Sequence, residues 1–356
     1  MQYPFSKHPL RHCTGLLLIL LLAAPAWAQF VPPQNLDPAT ASIQLDSSFQ
    51  SDAWLVYTYD IDATGLVTDA AIRSSNGVPE VEQAVLRQVK AMQFSPATRD
   101  GSPLKVSAEP VSYTWILDRP RQMSPAFEQR YRQAWDLYAG ENYPAASEIA
   151  VSLSEYPGRN ALEEVKSRIL LASLASRSQD DGAELQHLGR VIELERLALD
   201  NNFRNTYVPA DQFLQILDRF VTLQLDAWML ADAGDTLMLM QRLADDSAIA
   251  GEAGQRFVAA QRRFDAIPDV AVTGKLDPLF RDGPGSWKTG LSRTRFSLSD
   301  VRGRVASVFL VCAGGERQLR YPTQEHWTVP PGWNNCRIEV SGEAGTELVL
   351  HQHASG

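Results

Sequence analysis

Positive charge is in short supply in this chain: 33 Lys and Arg stand against 42 Asp and Glu, a formal net charge of −9. Removing residues 1–28, which carry Lys7 and Arg11 and no acid, deepens the deficit. A surface of that sign repels phosphate backbones and anionic headgroups, so nucleic acid and acidic membrane surfaces are poor partners. Long apolar runs are also lacking. The stretch from Gly15 to Ala24 falls short of the ~20 residues that a bilayer span needs. Cysteine is scarce: Cys13 lies in the N-terminal segment, which leaves Cys312 and Cys336 as an even pair.

Catalytic motifs are missing as well. No Gly-x-Ser-x-Gly elbow occurs. Asp60-x-Asp62-x-Thr64-Gly65 starts like a calcium loop, but Ala71 stands where the bidentate acid belongs, and a hairpin turn accounts for the segment. Gly285-Ser286-Trp287-Lys288-Thr289 has Trp287 where a phosphate loop needs glycine. His351-x-His353 would share one face of a strand and chelate a metal, or else belong to a frayed tail with no third ligand; the tail is the reading adopted. Asp180-Asp181 and Asp245-Asp246 read as solvated or capping acids, and His187 as a surface or capping residue. No catalytic residue, metal or cofactor is expected.

What is present begins with a secretory pattern over residues 1–28: Lys7 and Arg11, the apolar run, then Ala26-Trp27-Ala28 as a small-x-small cleavage site. Cleavage would deliver the chain to the periplasm; retention would leave it anchored in the inner membrane. Export suits an oxidising compartment, where Cys312 and Cys336 form a disulfide or remain two buried thiols. Residues 29–53, with Pro32, Pro33 and Pro38, read as a partly disordered linker.

Residues 54–61 and 66–73 alternate apolar and polar around Asp62-Ala63-Thr64-Gly65, which predicts a β-hairpin. Pro79, Glu80, Glu82 and Lys90 bracket a helix of about three turns whose apolar stripe is Val81, Val85, Leu86, Val89 and Met92. A turn at Asp100-Gly101-Ser102-Pro103 leads to a strand within 104–117, completing a β-β-α-β module over 54–118. With Ser74-Ser75 closing the hairpin and Phe94-x-Pro96-Ala97-x-x-Asp100-Gly101-x-Pro103 before the last strand, the module resembles the C-terminal domain of TonB-family energy transducers. The resemblance covers roughly residues 50–118. It implies a periplasmic domain that captures a short peptide of an outer-membrane transporter by adding it as a strand to the sheet edge. On that implication the partner-binding residues are Val111, Ser112, Tyr113, Thr114, Trp115, Ile116 and Leu117. The chain departs from the family in lacking a Tyr-Pro-x-x-Ala element before the first strand, a long Pro-rich spacer, and a C-terminal position for the domain.

Over 124–267 the periodicity is helical. Phe127, Tyr131, Trp135 and Tyr138 share a face, and Glu141 to Ala146 open a second helix that runs toward Tyr156-Pro157, a pair that resembles one degenerate tetratricopeptide (TPR) repeat. Further helices are expected at 160–178, 182–200, 210–232, 235–246 and 252–266, with breaks at Asp180-Asp181-Gly182, Asn201-Asn202 and Ala233-Gly234. Leu237-Met238-Leu239-Met240 reads as helical core or as a soft binding surface. Residues 269–356 return to short strands punctuated by glycine and proline, a small disulfide-linked β-sandwich. Its Trp287, Trp327 and Trp333 line a sugar-binding face or build a core.

The expected fold is therefore multidomain α+β: a TonB-like β-β-α-β domain, TPR-like helical hairpins and a small β-sandwich. The expected function is a non-catalytic, periplasmic protein-interaction protein linked to outer-membrane transport. Two alternatives stand beside it: a membrane-anchored TonB-type transducer, and a cell-wall or glycan-binding envelope protein.

Overall fold

A computed structural model describes residues 30–31, 33–37, 43–45, 48–107, 111–119, 122–244, 246–278, 285–322 and 326–354. The secretory pattern, Cys13 and Asp245 lie outside the described residues.

The first unit comprises β1 (Phe30–Val31), β2 (Ala53–Ile61), β3 (Val67–Ser75), α1 (Pro79–Ala91), β4 (Ala97–Arg99), β5 (Ser102–Leu104), β6 (Val106–Ser107) and β7 (Val111–Trp115). The hairpin turns on Asp62, whose Oδ1 accepts from Thr64 N (2.8 Å) and Thr64 Oγ1 (2.7 Å). Gly65 adopts φ +92°, and a Cβ there would meet the Phe94 carbonyl oxygen at 1.9 Å. That glycine is dictated by backbone conformation and close approach together. The calcium-loop fragment is thus used as a turn. β2 is central, antiparallel to β3 on one side and to β7 and β6 on the other. The strand expected within 104–117 is therefore two pieces. α1 buries Val81, Ala84, Val85 and Val89 against Ala53, Leu55, Tyr57 and Ile61.

The described part of the segment read as a linker is packed. β1 pairs with β4, Leu36 N donates to Gln93 O (2.8 Å), and Ile43 and Leu45 are buried in the same core as α1. Strand pairing, backbone bonds to residues 93–95 and the buried Ile43 and Leu45 hold it to the unit.

Seven helices follow: α2 (Pro125–Ala139), α3 (Tyr143–Ser154), α4 (Ala161–Arg177), α5 (Asp181–Asp200), α6 (Ala210–Asp226), α7 (Leu230–Leu243) and α8 (Ala248–Asp265). Consecutive helices pack as hairpins. Asn160 and Glu163 form a reciprocal capping box on α4, and Asp180 caps α5. The break expected at Ala233-Gly234 falls instead at Ala227-Trp228-Met229, where Trp228 takes φ +60° and Met229 N bonds Gln224 O (2.8 Å). Gly234 lies inside α7 and receives the Phe257 ring of α8. Leu237, Leu239 and Met240 are core, while Met238 is exposed.

The last unit contains β8 (Asp269–Lys275), β9 (Asp277–Pro278), β10 (Gly285–Gly290), β11 (Arg295–Arg302), β12 (Val305–Cys312), β13 (Gly315–Gln318), β14 (Trp327–Thr328), β15 (Arg337–Gly342) and β16 (Glu347–His353). Two antiparallel sheets, ordered β13-β12-β15-β10-β9 and β14-β11-β16-β8, share a core of Val270, Val272, Phe296, Val308, Leu310, Ile338, Val340, Leu348 and Leu350. The Cys312–Cys336 disulfide links neighbouring strands of one sheet, since Val311 lies opposite Arg337. His351 and His353 are not a frayed tail: they occupy β16, paired with β8 and β11.

Candidate functional site

Of the seven residues assigned to partner binding, Val111 to Trp115 form β7, and the strand stops there. Ile116 is buried in the large core shared by the helices and the last unit, and Leu117 N donates to Asp52 Oδ1 (3.0 Å). β7 lies opposite β2 in the register Ala53↔Trp115, Trp54↔Thr114, Leu55↔Tyr113, Val56↔Ser112 and Tyr57↔Val111. Trp54 directs its own N–H to Asn76 Oδ1 (3.0 Å) and its C=O to Asn76 N (3.0 Å), on the side away from β7. Pairs alternate between bonded and non-bonded in an antiparallel ladder. Trp54–Thr114 and Val56–Ser112 are therefore non-bonded pairs, and the backbone N–H and C=O of Ser112 and Thr114 face outward. Among the described residues β7 pairs with β2 alone, and residues 30–37 reach β4 and residues 93–95 instead.

The side chains of β7 alternate. Val111, Tyr113 and Trp115 pack against the α1 core, where burial pushes the Tyr113 phenol up to about 12. Ser112 and Thr114 lie on the opposite face with Trp54, which is fully buried. Below the outward edge, the Lys105 ammonium sits 2.6 Å from Asp60, whose carboxyl it holds below the usual range.

That opposite face is welded to the helices. Asp52, 2% exposed, accepts from Leu117 N and, through Oδ2, from Ala161 N (2.9 Å) at the start of α4, where the helix dipole favours its charge. Asn76 Nδ2 donates to Asp52 O (3.0 Å) and Arg159 O (3.2 Å). Arg159 and Arg190 hold their guanidinium carbons 5.2 and 5.5 Å from the Trp54 ring. Both belong to a buried network on Glu164, which Arg168 also joins. Burial works against the Glu164 charge, but Arg168, Arg159 and Arg190 outweigh it and keep the carboxyl well below its ordinary range. His187 is half-buried 3.4 Å from Arg168, and burial with that cation pushes it down to about 4. Sequence reading missed this junction. Its local traces are Glu164 five residues after Arg159 and four before Arg168; the rest converges from distant positions, as with Asp52 and Ala161 or Trp54 and Arg190.

The remaining fragments have structural partners. Thr289 Oγ1 and Gly290 N of β10 donate to Asp232 of α7, so that segment is a strand tied to a helix. His351 and His353 share Asp269 through Nδ1 (3.1 and 3.2 Å) and meet Ser299 and Ser297 through Nε2 (2.9 and 3.0 Å). Both ring nitrogens of each histidine are used, which ties β8, β16 and β11 across one solvent-facing sheet surface. No group of three or more His, Cys, Asp or Glu among the described residues is arranged to hold a metal ion. The three tryptophans do not share a face: Trp327 packs on Phe296, Trp333 covers Gly314 and Gly315, and Trp287 lies over Gly274. No helix of the described residues is long and apolar enough to cross a membrane.

An antiparallel sheet backed by one helix, with a short outward edge at β7, is the frame of this first unit. Residues 54–117 match the family model described as Gram-negative bacterial TonB protein C-terminal. The match covers this segment alone and suggests for it a TonB-like role linked to outer-membrane transport, which fits a protein partner. No curated protein and no solved structure compared with the chain matches it.

Proposed function

We propose that the chain is a non-catalytic periplasmic interaction protein that captures a partner peptide by strand addition beside β7. The observation that carries this reading is the outward orientation of the Ser112 and Thr114 backbone groups on an edge that no described strand covers. A peptide laid there would gain main-chain hydrogen bonds for affinity, while Val111, Tyr113 and Trp115 flank it on one face and Ser112 and Thr114 on the other. The family match favours a segment of an outer-membrane transporter as that peptide. The helices would act as a TPR-like scaffold that presents the module, and the signal segment would be removed on export.

Thr114→Pro tests the reading, because it deletes one outward N–H and leaves the ladder with β2 intact. Affinity for a periplasm-facing transporter peptide should fall about tenfold or more, the equivalent of ~1.4 kcal/mol. Unchanged affinity in a folded variant would sink the assignment. The family match also favours a transducer that keeps its N-terminal segment in the inner membrane. Mass determination of the N-terminus of the protein from native envelopes decides between them: a chain starting at Gln29 rejects the anchored form.

A further inference from the structure

A second concave site lies far from the strand edge in sequence and between different elements. The start of α5, the α6–α7 turn and strands β8 to β10 enclose a cleft of about 790 Å³. That volume is typical of small-molecule sites, as is a position between packed units. Two indoles are among its lining side chains. Trp228 comes from the helical turn with φ +60°, and Trp287 comes from β10, its ring lying across Gly274 where any Cβ would approach within 2.6 Å. Both are partly buried, Trp228 with the Arg263 guanidinium carbon 5.5 Å from its ring centroid and Trp287 against Gly274.

The polar lining carries both signs. Arg168, Arg190, Lys275 and Lys288 stand among Asp180, Asp181, Glu193, Asp226, Asp277 and Glu347. Most of these charges already have partners: Arg168 with Glu164, Lys288 with Glu339, and Glu347 with Arg302. Such a lining selects neither a strong anion nor a strong cation, but it supplies many donors and acceptors. Arg190 lies beneath the exposed lining: it is 6% exposed, its Nη1 bonds Glu193 at 2.8 Å and its Nε faces Glu164 at 3.7 Å, so it belongs to the buried network rather than to the ligand-facing surface.

Partly exposed indoles with interspersed hydroxyl, carboxylate and ammonium groups match one chemical class. Sugar rings present an apolar C–H face to an indole and a rim of hydroxyls that donate and accept. We propose that this cleft binds a short oligosaccharide, with a sugar ring against Trp287 and its hydroxyls bonding the exposed Lys275 and Lys288 ammonium groups and the Thr273 and Ser286 hydroxyls of the lining. The Trp287 side of the site is preformed, because its ring is seated on Gly274. It is separate from β7, so it gives the protein a second ligand without requiring the first.

The test uses the full chain and a panel of three trisaccharides: those of N-acetylglucosamine, of β-linked glucose and of α-linked glucose. Binding is read by saturation-transfer NMR and by indole fluorescence. At least one trisaccharide should bind at millimolar concentration or tighter. Trp287→Ala and Trp228→Ala should each weaken it about tenfold, the fold-change of one lost ring contact. Because Trp287→Ala opens space over Gly274, Lys288→Ala on the exposed rim serves as a second variant whose folding is not at stake; it should weaken binding severalfold. Thr114→Pro should leave sugar binding unchanged, which separates this site from the strand edge. Failure of all three sugars to bind, or binding unaffected by the three cleft substitutions, overturns the proposal.

Discussion

Glu195 couples the fold to pH through one side chain. It is 1% exposed, and its Oε1 accepts from Tyr207 N and Val208 N, clasping the loop between α5 and α6. Burial pushes its pKa up to about 7, against the opposing pull of those two N–H groups. A carboxyl whose folded pKa lies above the unfolded one binds more protons in the folded state. Its contribution is greatest below the unfolded value and falls as pH rises toward about 7, by about 3 kcal/mol across the window. Glu195→Gln keeps an acceptor for both N–H groups and removes the titration. Urea midpoints should therefore converge near pH 5 and favour the variant near pH 8; a variant that keeps the wild-type pH slope would contradict this assignment. Trp54 is the other decisive residue. Trp54→Ala, in the fully buried face between Arg159 and Arg190, should cost ~3–5 kcal/mol, read as a drop in the urea midpoint.

At the scale of elements, the hairpin β2–β3, helix α1 and most helix boundaries were legible because their signals are local: a glycine at a turn, a proline at a helix start, apolar residues at a fixed spacing. Gly65 carries the hairpin, and Gly65→Ala should cost more than the ~1–2 kcal/mol of positive φ alone, because the new Cβ collides with the Phe94 carbonyl. Thermal melts of the variant measure it. The α6–α7 break was misplaced because glycine is a weak local signal when packing decides: Gly234 admits Phe257, whereas Trp228 takes the left-handed conformation that ends α6. The end of β16 was misread because chain-end position says nothing about pairing: the sequence reads His351 and His353 as a frayed tail, yet their partners on β8 and β11 lie more than fifty residues away. The disulfide was legible from parity alone, yet its placement within one sheet was not. Reducing it should cost ~3 kcal/mol, since it closes a separation of 24 residues.

At the scale of the molecule, one hydrophobic cluster runs from Trp54 and Ile116 through the helices to Phe296 and Leu350. The three stretches that composition separates are thus joined by a common core and by polar welds: Asp52 to α4, Asn76 to Arg159, and Asp232 to β10. None of these is visible in sequence, because each pairs ordinary residues from distant segments. Unfolding should accordingly be a single transition by circular dichroism and by tryptophan fluorescence. A fragment of residues 30–119 should be less stable than the same residues in the full chain, because it exposes Trp54 and Ile116. The candidate edge was legible in part: the family-like segment pointed to residues 111–117, while the outward set, Ser112 and Thr114, needed the register of β7 on β2 and the hydrogen bonds of Trp54.

Hydrogen–deuterium exchange of the full chain, with and without a periplasm-facing peptide of an outer-membrane transporter, tests the central claim most directly. Strand addition at β7 predicts new protection concentrated in residues 111–115, centred on the Ser112 and Thr114 amides, with the helices unchanged. Protection confined to the helices or to the last unit, with residues 111–115 exchanging as before, would contradict it.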